Sequence, residues 1–326
     1  MQRREFITLV GSVAAWPIAA PAQQSPLQVI GFLGSASSEA TKFVLSDFRS
    51  GLAEEGYVEG KNVTIEYRFA DGKYEQLPAL AEDLVRRQVR VVVTGGGSPS
   101  ALAIHAATKT IPIVSLIGGD AVKMGLAESL SHPGGNVTGV EQLLTDAEIK
   151  RLEIMHEIVP AAELVAYIEN PNTRSASQTA VLESAAKKLG LKLLVLKAAN
   201  DSELNQAFAT INREHAGGAI VAADAFFFMR VNRFVEQAEA QRIPAIYFFR
   251  EYVRSGGLVS YGTRLGDAMK QVGMYTGRIL KGAKPSDLPI VQLSEKIELL
   301  VNLKTARALG ITFPTSLLLR ADEVIE

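Results

Sequence analysis

The stretch LQVIGFLGSASSEATKFVLSDFRSGLAEEGYVEGKNVTIEYRF, residues 27–69, decides the fold class. Its opening, LQVIGFLG at 27–34, is a short apolar run that reads as a buried strand. Residues 41–56 then place Phe43, Val44, Phe48 and Leu52 at helical spacing and stop at Gly56, a glycine end for a helix. NVTIEYRF at 62–69 is a second strand. Strand, amphipathic helix and strand in succession form the repeating unit of a parallel sheet.

The unit repeats outward from there. A helix is expected near 75–88, the strand VRVVVTG at 89–95, a helix from Ser98 and the strand IPIVSLIG at 111–118, which completes one doubly wound lobe. After NVTGV at 136–140 the same architecture starts again: helix 146–159, strand 163–170, helix 174–189, strand 191–198, a helix from Ser202, strand GGAIVAAD at 217–224, a helix to about Ala240, and strand IPAIYFF at 243–249. The tail carries GLVSYG at 257–262, a helix to Lys281, LPIVQLSEKIELLVN and a short last helix. It is too small for a third domain, so it is expected to complete both sheets. The chain then crosses between lobes near 138–145, 255–262 and 287–293. One lobe takes residues 27–140 plus 260–288 and the other 141–259 plus 289–326. The fold class read here is α/β, with two parallel-sheet lobes.

Composition limits the function. Hydrophobic residues make up 47% and charged residues 21% of 326, which suits a packed globular protein. A net charge of −1 with no basic block argues against nucleic acid as a partner. The absence of cysteine removes disulfides, thiolate metal sites and cysteine nucleophiles. The first residues, MQRREFITLVGSVAAWPIAAPAQQ, place Arg3 and Arg4 before an apolar run that ends at Ala20-Pro21-Ala22, the pattern of an export signal cleaved near Ala22. The arginine pair with Phe6 fits a twin-arginine leader, and a general secretory leader as well. The run is short for a membrane span and holds Pro17 and Pro21. Residues 1–22 are thus read as a signal peptide, and the mature chain as periplasmic.

Three stretches carry a resemblance: GLAEEGYVEGKNVTIEYRFADGKYEQLPALAEDLV (51–85), ATKTIPIVSLIGGDAVKMGLAESLSHPGGNVTG (107–139) and NLKTARALGITFP (302–314). EGKNVTIEYR, HPGGNVTG and the RREFI of the leader are the most specific pieces. The chain resembles the ABC transporter substrate-binding family that includes tryptophan-binding lipoproteins, over essentially its whole mature length. The resemblance implies a type I periplasmic-binding fold with a three-stranded hinge, a small-molecule ligand, and an inner-membrane ABC permease as partner. It lacks the lipobox cysteine of the tryptophan-binding members, so a lipid anchor does not transfer. A monomer is expected, and no cofactor.

In open α/β sheets ligands sit beyond the carboxyl ends of the strands. In the first lobe that selects Ser35, Gly97 and Ser98, and Gly119 and Asp120, with Tyr74 after the second strand. Glycine lets a backbone approach a ligand, and a helix start offers N–H groups to an anion. Ser98 before Pro99 equally suits a helix N-cap. In the second lobe it selects Asn170 and Asn172, Asp224 with Phe226, and Arg250 with Glu251. Asp224, which in the resemblance aligns with an acidic position, is read as a partner for a ligand ammonium, with an N-cap as its structural alternative. Arg250 and Glu251 are read as a clamp on a zwitterion or as an ion pair. The aromatic cluster of Phe226, Phe227, Phe228, Tyr247, Phe248, Phe249 and Tyr252 points to an aromatic or amino-acid-like occupant.

Catalysis finds little support. Gly95-Gly96-Gly97 lacks the Lys and Ser/Thr of a phosphate loop. His105, His132, His156 and His215 are scattered, and there is no GxSxG elbow. A non-enzymatic binding protein without a metal is the reading. A sensor domain for a membrane receptor is the alternative, and a cleft hydrolase a weaker one.

Overall fold

The computed structural model describes residues 27–142, 144–173, 176–293 and 297–326. The proposed leader lies outside the described residues. The first lobe contains β1 (Gln28–Gly34), α1 (Lys42–Glu54), β2 (Val63–Phe69), α2 (Leu77–Arg86), β3 (Val91–Gly95), α3 (Ser98–Ala107), β4 (Ile113–Ile117) and β5 (Val137–Glu141). The second contains α4 (Leu144–Ile158), β6 (Leu164–Glu169), α5 (Ala176–Lys188), β7 (Lys192–Lys197), α6 (Asp201–Arg213), β8 (Ala219–Val221), α7 (Ala225–Phe228), α8 (Val231–Ala240), β9 (Ala245–Tyr247), α9 (Arg250–Arg254) and β10 (Val259–Thr263). α10 (Leu265–Leu280) and β11 (Val291–Gln292) return to the first lobe. β12 (Ile297–Asn302), α11 (Leu303–Leu309), α12 (Thr315–Leu318) and β13 (Glu323–Ile325) finish the second.

The first sheet runs β11-β5-β4-β3-β1-β2, with every pair parallel. The second runs β13-β12-β10-β9-β8-β6-β7 and is parallel except for β10 against β12. Both lobes therefore reverse strand order beside their first strand, between β1 and β3 and between β6 and β8. Loops splay apart at such a reversal and leave a crevice. Alternation along β1 shows why helices cover both faces. Ile30 and Phe32 pack with Val44, Phe48, Met269 and Val272 of α1 and α10. Leu33 packs with Leu84 and Ile104 of α2 and α3 on the other face.

α10 is fixed to the first lobe by a close helix crossing. A Cβ on Gly273 would lie 2.1 Å from the carbonyl oxygen of Phe48 in α1, so only glycine admits this approach. Sheet membership moves two of the expected boundaries. Val259–Thr263 pairs with β9 and β12, so residues 260–263 stay in the second lobe and the crossing follows Thr263. Val291 and Gln292 pair with Val140 and Glu141, so the first lobe extends past 288 to 292. The three connections between sheets therefore follow Glu141, Thr263 and Gln292.

Candidate functional site

A cleft of about 960 Å³, counted out to open solvent, lies between the lobes where the carboxyl ends of the strands face each other. The first lobe supplies Phe32, Ala36, Thr41, Gly95 to Pro99, Leu116 and Gly118. Gln142 and Leu144 at one interlobe connection and Leu265 at another close its back. The second lobe supplies Asn170, Thr173, Gln178, Ala222 to Ala225, Phe228 and Phe249. Both strand-order reversals thus open onto one space.

The first-lobe wall is backbone-rich. α3 starts at Ser98-Pro99 with no side-chain cap among the described residues, so the N–H groups of its first turn that Pro99 does not remove, and the positive end of its dipole, face an acceptor. Ser98 itself is committed elsewhere, since its hydroxyl donates to the carbonyl of Gly118 at 2.8 Å. Gln142 is almost wholly buried in the wall, and its Nε2 has no hydrogen-bond partner among the described residues. A buried donor left unpaired is costly.

The second-lobe wall is built around Asp224, 7% exposed. Its Oδ1 accepts from Asn170 Nδ2 and from the backbone N–H of Phe227, both at 3.2 Å. Its Oδ2 accepts from Tyr74 Oη at 2.8 Å and Thr173 Oγ1 at 3.0 Å. Asp224 is therefore both the N-cap of α7 and a wall of the cleft, and these four donors match the roughly four lone-pair positions of a carboxylate. Burial pushes its carboxyl above the ordinary value of 3.8, and the same donors act against that shift. Burial, then the Asp224 charge, pushes the Tyr74 phenol well above 10.0. Among the described lining residues Asp224 is the only ionisable group, and the rest of the second-lobe wall is amide, hydroxyl, alanine and aromatic.

Of the residues expected from sequence, Gly97, Ser98, Asn170 and Asp224 line the cleft. Ser35 lies beneath the β3–α3 loop, its amide bonded to Gly95 and its hydroxyl buried without a partner among the described residues. Tyr74 reaches Asp224 from outside the wall. Gly119 is buried next to the wall, and exposed Asp120 pairs with Lys123 at 2.9 Å; the backbone N–H of Lys123, then its ammonium, lowers the Asp120 pKa. Asn172 is exposed and donates its backbone N–H to Asn170 Oδ1 at 3.0 Å. Phe226 is turned away, with the Arg230 guanidinium 3.6 Å from its ring centre. Arg250 does not face the cleft either. It pairs with Glu298 at 3.0 Å and with Glu323 of β13. Glu251 is mostly buried away from the wall, and burial raises its carboxyl pKa. The clamp on a zwitterion expected from Arg250 and Glu251 is thus replaced by an ion-pair cluster tying α9 to β12 and β13.

Thr41, Gln142, Thr173 and Gln178 were not singled out from sequence, because no local signal marks a lone polar residue at a helix start or an interlobe connection. The second-lobe rings that line the cleft, Phe228 and Phe249, meet edge to face with centroids 5.0 Å apart, and Phe32 lines it from the first lobe. Both second-lobe rings belong to the aromatic cluster visible in the sequence. A helix turns about 100° per residue, so Phe228 faces the cleft while Phe226 and Phe227 do not.

Comparison with known proteins agrees with this architecture. A tyrosine-binding protein of Clostridioides difficile (strain R20291) is 28% identical over 263 residues, covering 80% of this chain and 75% of that protein. A crystal structure of an ABC domain in complex with L-Trp from Streptococcus pneumoniae is 26% identical with a TM-score of 0.83, over 92% of this chain and 100% of that one. A periplasmic binding protein from Burkholderia mallei, 12% identical, has a TM-score of 0.60 over 80% of each chain, a likeness of fold alone. The fold is that of the type I periplasmic binding proteins. The model of the ABC transporter substrate binding protein family matches residues 30–325, and this chain is a member of that family.

Proposed function

We propose that the cleft captures an aromatic amino acid or a related small aromatic acid and that closure of the two lobes presents it to an ABC permease. The observation that carries this reading is the pairing of unlike walls in one cleft, the uncapped start of α3 on one side and the edge-to-face rings of Phe228 and Phe249 on the other. A helix start favours a carboxylate through its open N–H groups. Aromatic faces favour a ring by about 0.5–1.5 kcal/mol per pair beyond area burial. Asn170, Thr173 and Asp224 supply the polar end of the second-lobe wall. The tyrosine and L-Trp named for two relatives support the same class.

On this reading residues 1–22 direct export and are removed, and the mature chain works in the periplasm as a monomer without catalysing a reaction. No described helix is long and apolar enough to cross a membrane. A thermal-shift series with L-tyrosine, L-tryptophan and 3,4-dihydroxybenzoate, against L-leucine and xylose, tests the class. An occupant at a hundred times its Kd stabilises by about 2.7 kcal/mol, which moves a melting midpoint measurably. The aromatic compounds are expected to raise it. A rise with leucine or xylose alone sinks the proposal.

A further inference from the structure

Tyr74 sits on a single 3-10 turn (Tyr74–Gln76) that follows β2 at the edge of the first sheet. It does not line the cleft. Its hydroxyl instead crosses to the second lobe, donates to Asp224 Oδ2 at 2.8 Å and accepts the backbone N–H of Phe226 at 3.2 Å. Two further contacts join the same patches. The Ser37 N–H points at Met229 Sδ at 3.2 Å, and the rings of Phe43 and Phe228 are 5.9 Å apart. Gly72, at φ +76°, leaves the space for this approach, because a Cβ there would lie 2.5 Å from Met229 Cε.

These contacts join parts of the chain that belong to different lobes, so they exist only when the lobes are together. Of the contacts named, the bond to Asp224 is the one made to a charge, and it is also desolvated. We propose that Tyr74 is a latch: it holds the lobes closed through Asp224 and the Phe226 amide, and so sets how long the cleft stays shut, without touching the occupant. The inference rests on reading the cleft as a two-lobed binding site, but not on which compound fills it. It separates Tyr74 from Asn170 and Thr173, which share the same carboxylate but sit on the second lobe with it and move with it.

Two consequences follow from the chemistry. A phenylalanine at 74 keeps the ring and removes the one donor and the acceptor for Phe226. In the open form both lost partners are satisfied by water, so the deletion acts on the closed form alone. A hydrogen bond to a charged group corresponds to roughly tenfold or more in an equilibrium constant. The closed-to-open ratio is expected to fall by about that factor.

The sequence has no cysteine, so Lys61→Cys on the first lobe and Glu183→Cys on the second, both exposed, place two spin labels without background. Interlobe distances are recorded for the full chain and for its Tyr74→Phe variant, each without ligand and with L-tyrosine. In the variant the ligand-free distribution is expected to shift to longer distances. L-tyrosine release is expected to speed up about tenfold with the association rate little changed. In an Asp224→Asn background the effect of Tyr74→Phe is expected to shrink. If the ligand-free distances are the same in both proteins, the latch is refuted, even where the melting midpoint falls, because a fixed packing contact gives that result. Should L-tyrosine not bind, the ligand-free distances still decide on the latch, while the ligand class fails separately.

Discussion

Asn170 Nδ2 and Asp224 Oδ1 are joined at 3.2 Å, so the ends of β6 and β8 share one carboxylate in the wall of the cleft. Asp224→Ala therefore does more than remove a charge. It strips the N-cap of α7 and leaves the donors of Asn170 and Tyr74 without this acceptor, while the Thr173 hydroxyl keeps the carbonyl of Asn170. A lost cap costs about 1 kcal/mol, and each stranded donor about as much again, offset in part by relief of a buried charge. A loss of roughly 2–3 kcal/mol of stability is expected. Binding of L-tyrosine should weaken with it. Denaturant melts and calorimetric titration check both, and an unchanged melt rules out the network.

Phe249→Ala and Phe226→Ala separate wall from core. Phe249 lines the cleft beside Phe228, whereas Phe226 packs under Arg230 and against Phe227. Removing the first ring is expected to cost about 1.5–3 kcal/mol of affinity for an aromatic occupant. Removing the second is expected to cost about 3 kcal/mol of folding stability. Titration of each purified variant with L-tryptophan gives the answer, and the reverse pattern contradicts the wall described here.

Arg250→Ala should act on stability with affinity unchanged. Its guanidinium pairs with buried Glu298, and the variant leaves that carboxylate to Arg264, which bonds it at 2.8 Å. Breaking one of two partners of a buried carboxylate is expected to cost about 2 kcal/mol. A weakened Kd without a lower melting midpoint would return Arg250 to the cleft.

The contrast between Asp224 and Arg250 shows what the sequence made legible. Asp224 ends a continuous apolar run that suits a fully buried strand, so its place at the cleft follows from strand direction alone. Arg250 ends an equally clear strand, yet its partners Glu298 and Glu323 come from β12 and β13, which pair with that edge of the sheet only after the chain has crossed between lobes twice more. Nothing local announces that. The repeating strand-helix pattern likewise made both lobes readable. Membership of residues 260–263 and 289–292 depended on sheet pairing that periodicity does not encode. Gln142 escaped notice because its role comes from standing where the lobes join.

Acid should weaken the first lobe through Asp83. Hydrogen bonds from Arg68 and Arg87 lower its carboxyl from 3.8 to about 2. A depressed carboxyl stabilises the folded state above its unfolded value of 3.8, and that contribution is lost as pH falls through about 2. Melting midpoints of the wild type and Asp83→Asn are therefore expected to differ at neutral pH and to converge near the lower value. A gap that persists there assigns the effect to something other than ionisation.

Gly139 carries the sharpest backbone test. It stands in β5, opposite Ser115 of β4 and just before the first interlobe connection. Its φ of +143° disfavours any side chain, and a Cβ would lie 2.0 Å from the carbonyl oxygen of Ser115. Both strands are buried, so neither can retreat without breaking its own pairing. Gly60 is the control, because its φ is +79° but nothing lies within 4 Å of an added Cβ. Gly60→Ala is expected to cost about 1 kcal/mol, the strain of the left-handed region alone. Gly139→Ala adds overpacking of at least about 1–3 kcal/mol to that strain and is expected to leave a poorly folded first lobe. Circular dichroism melts of the two variants measure the difference, and equal melts would show that β5 can move away from β4.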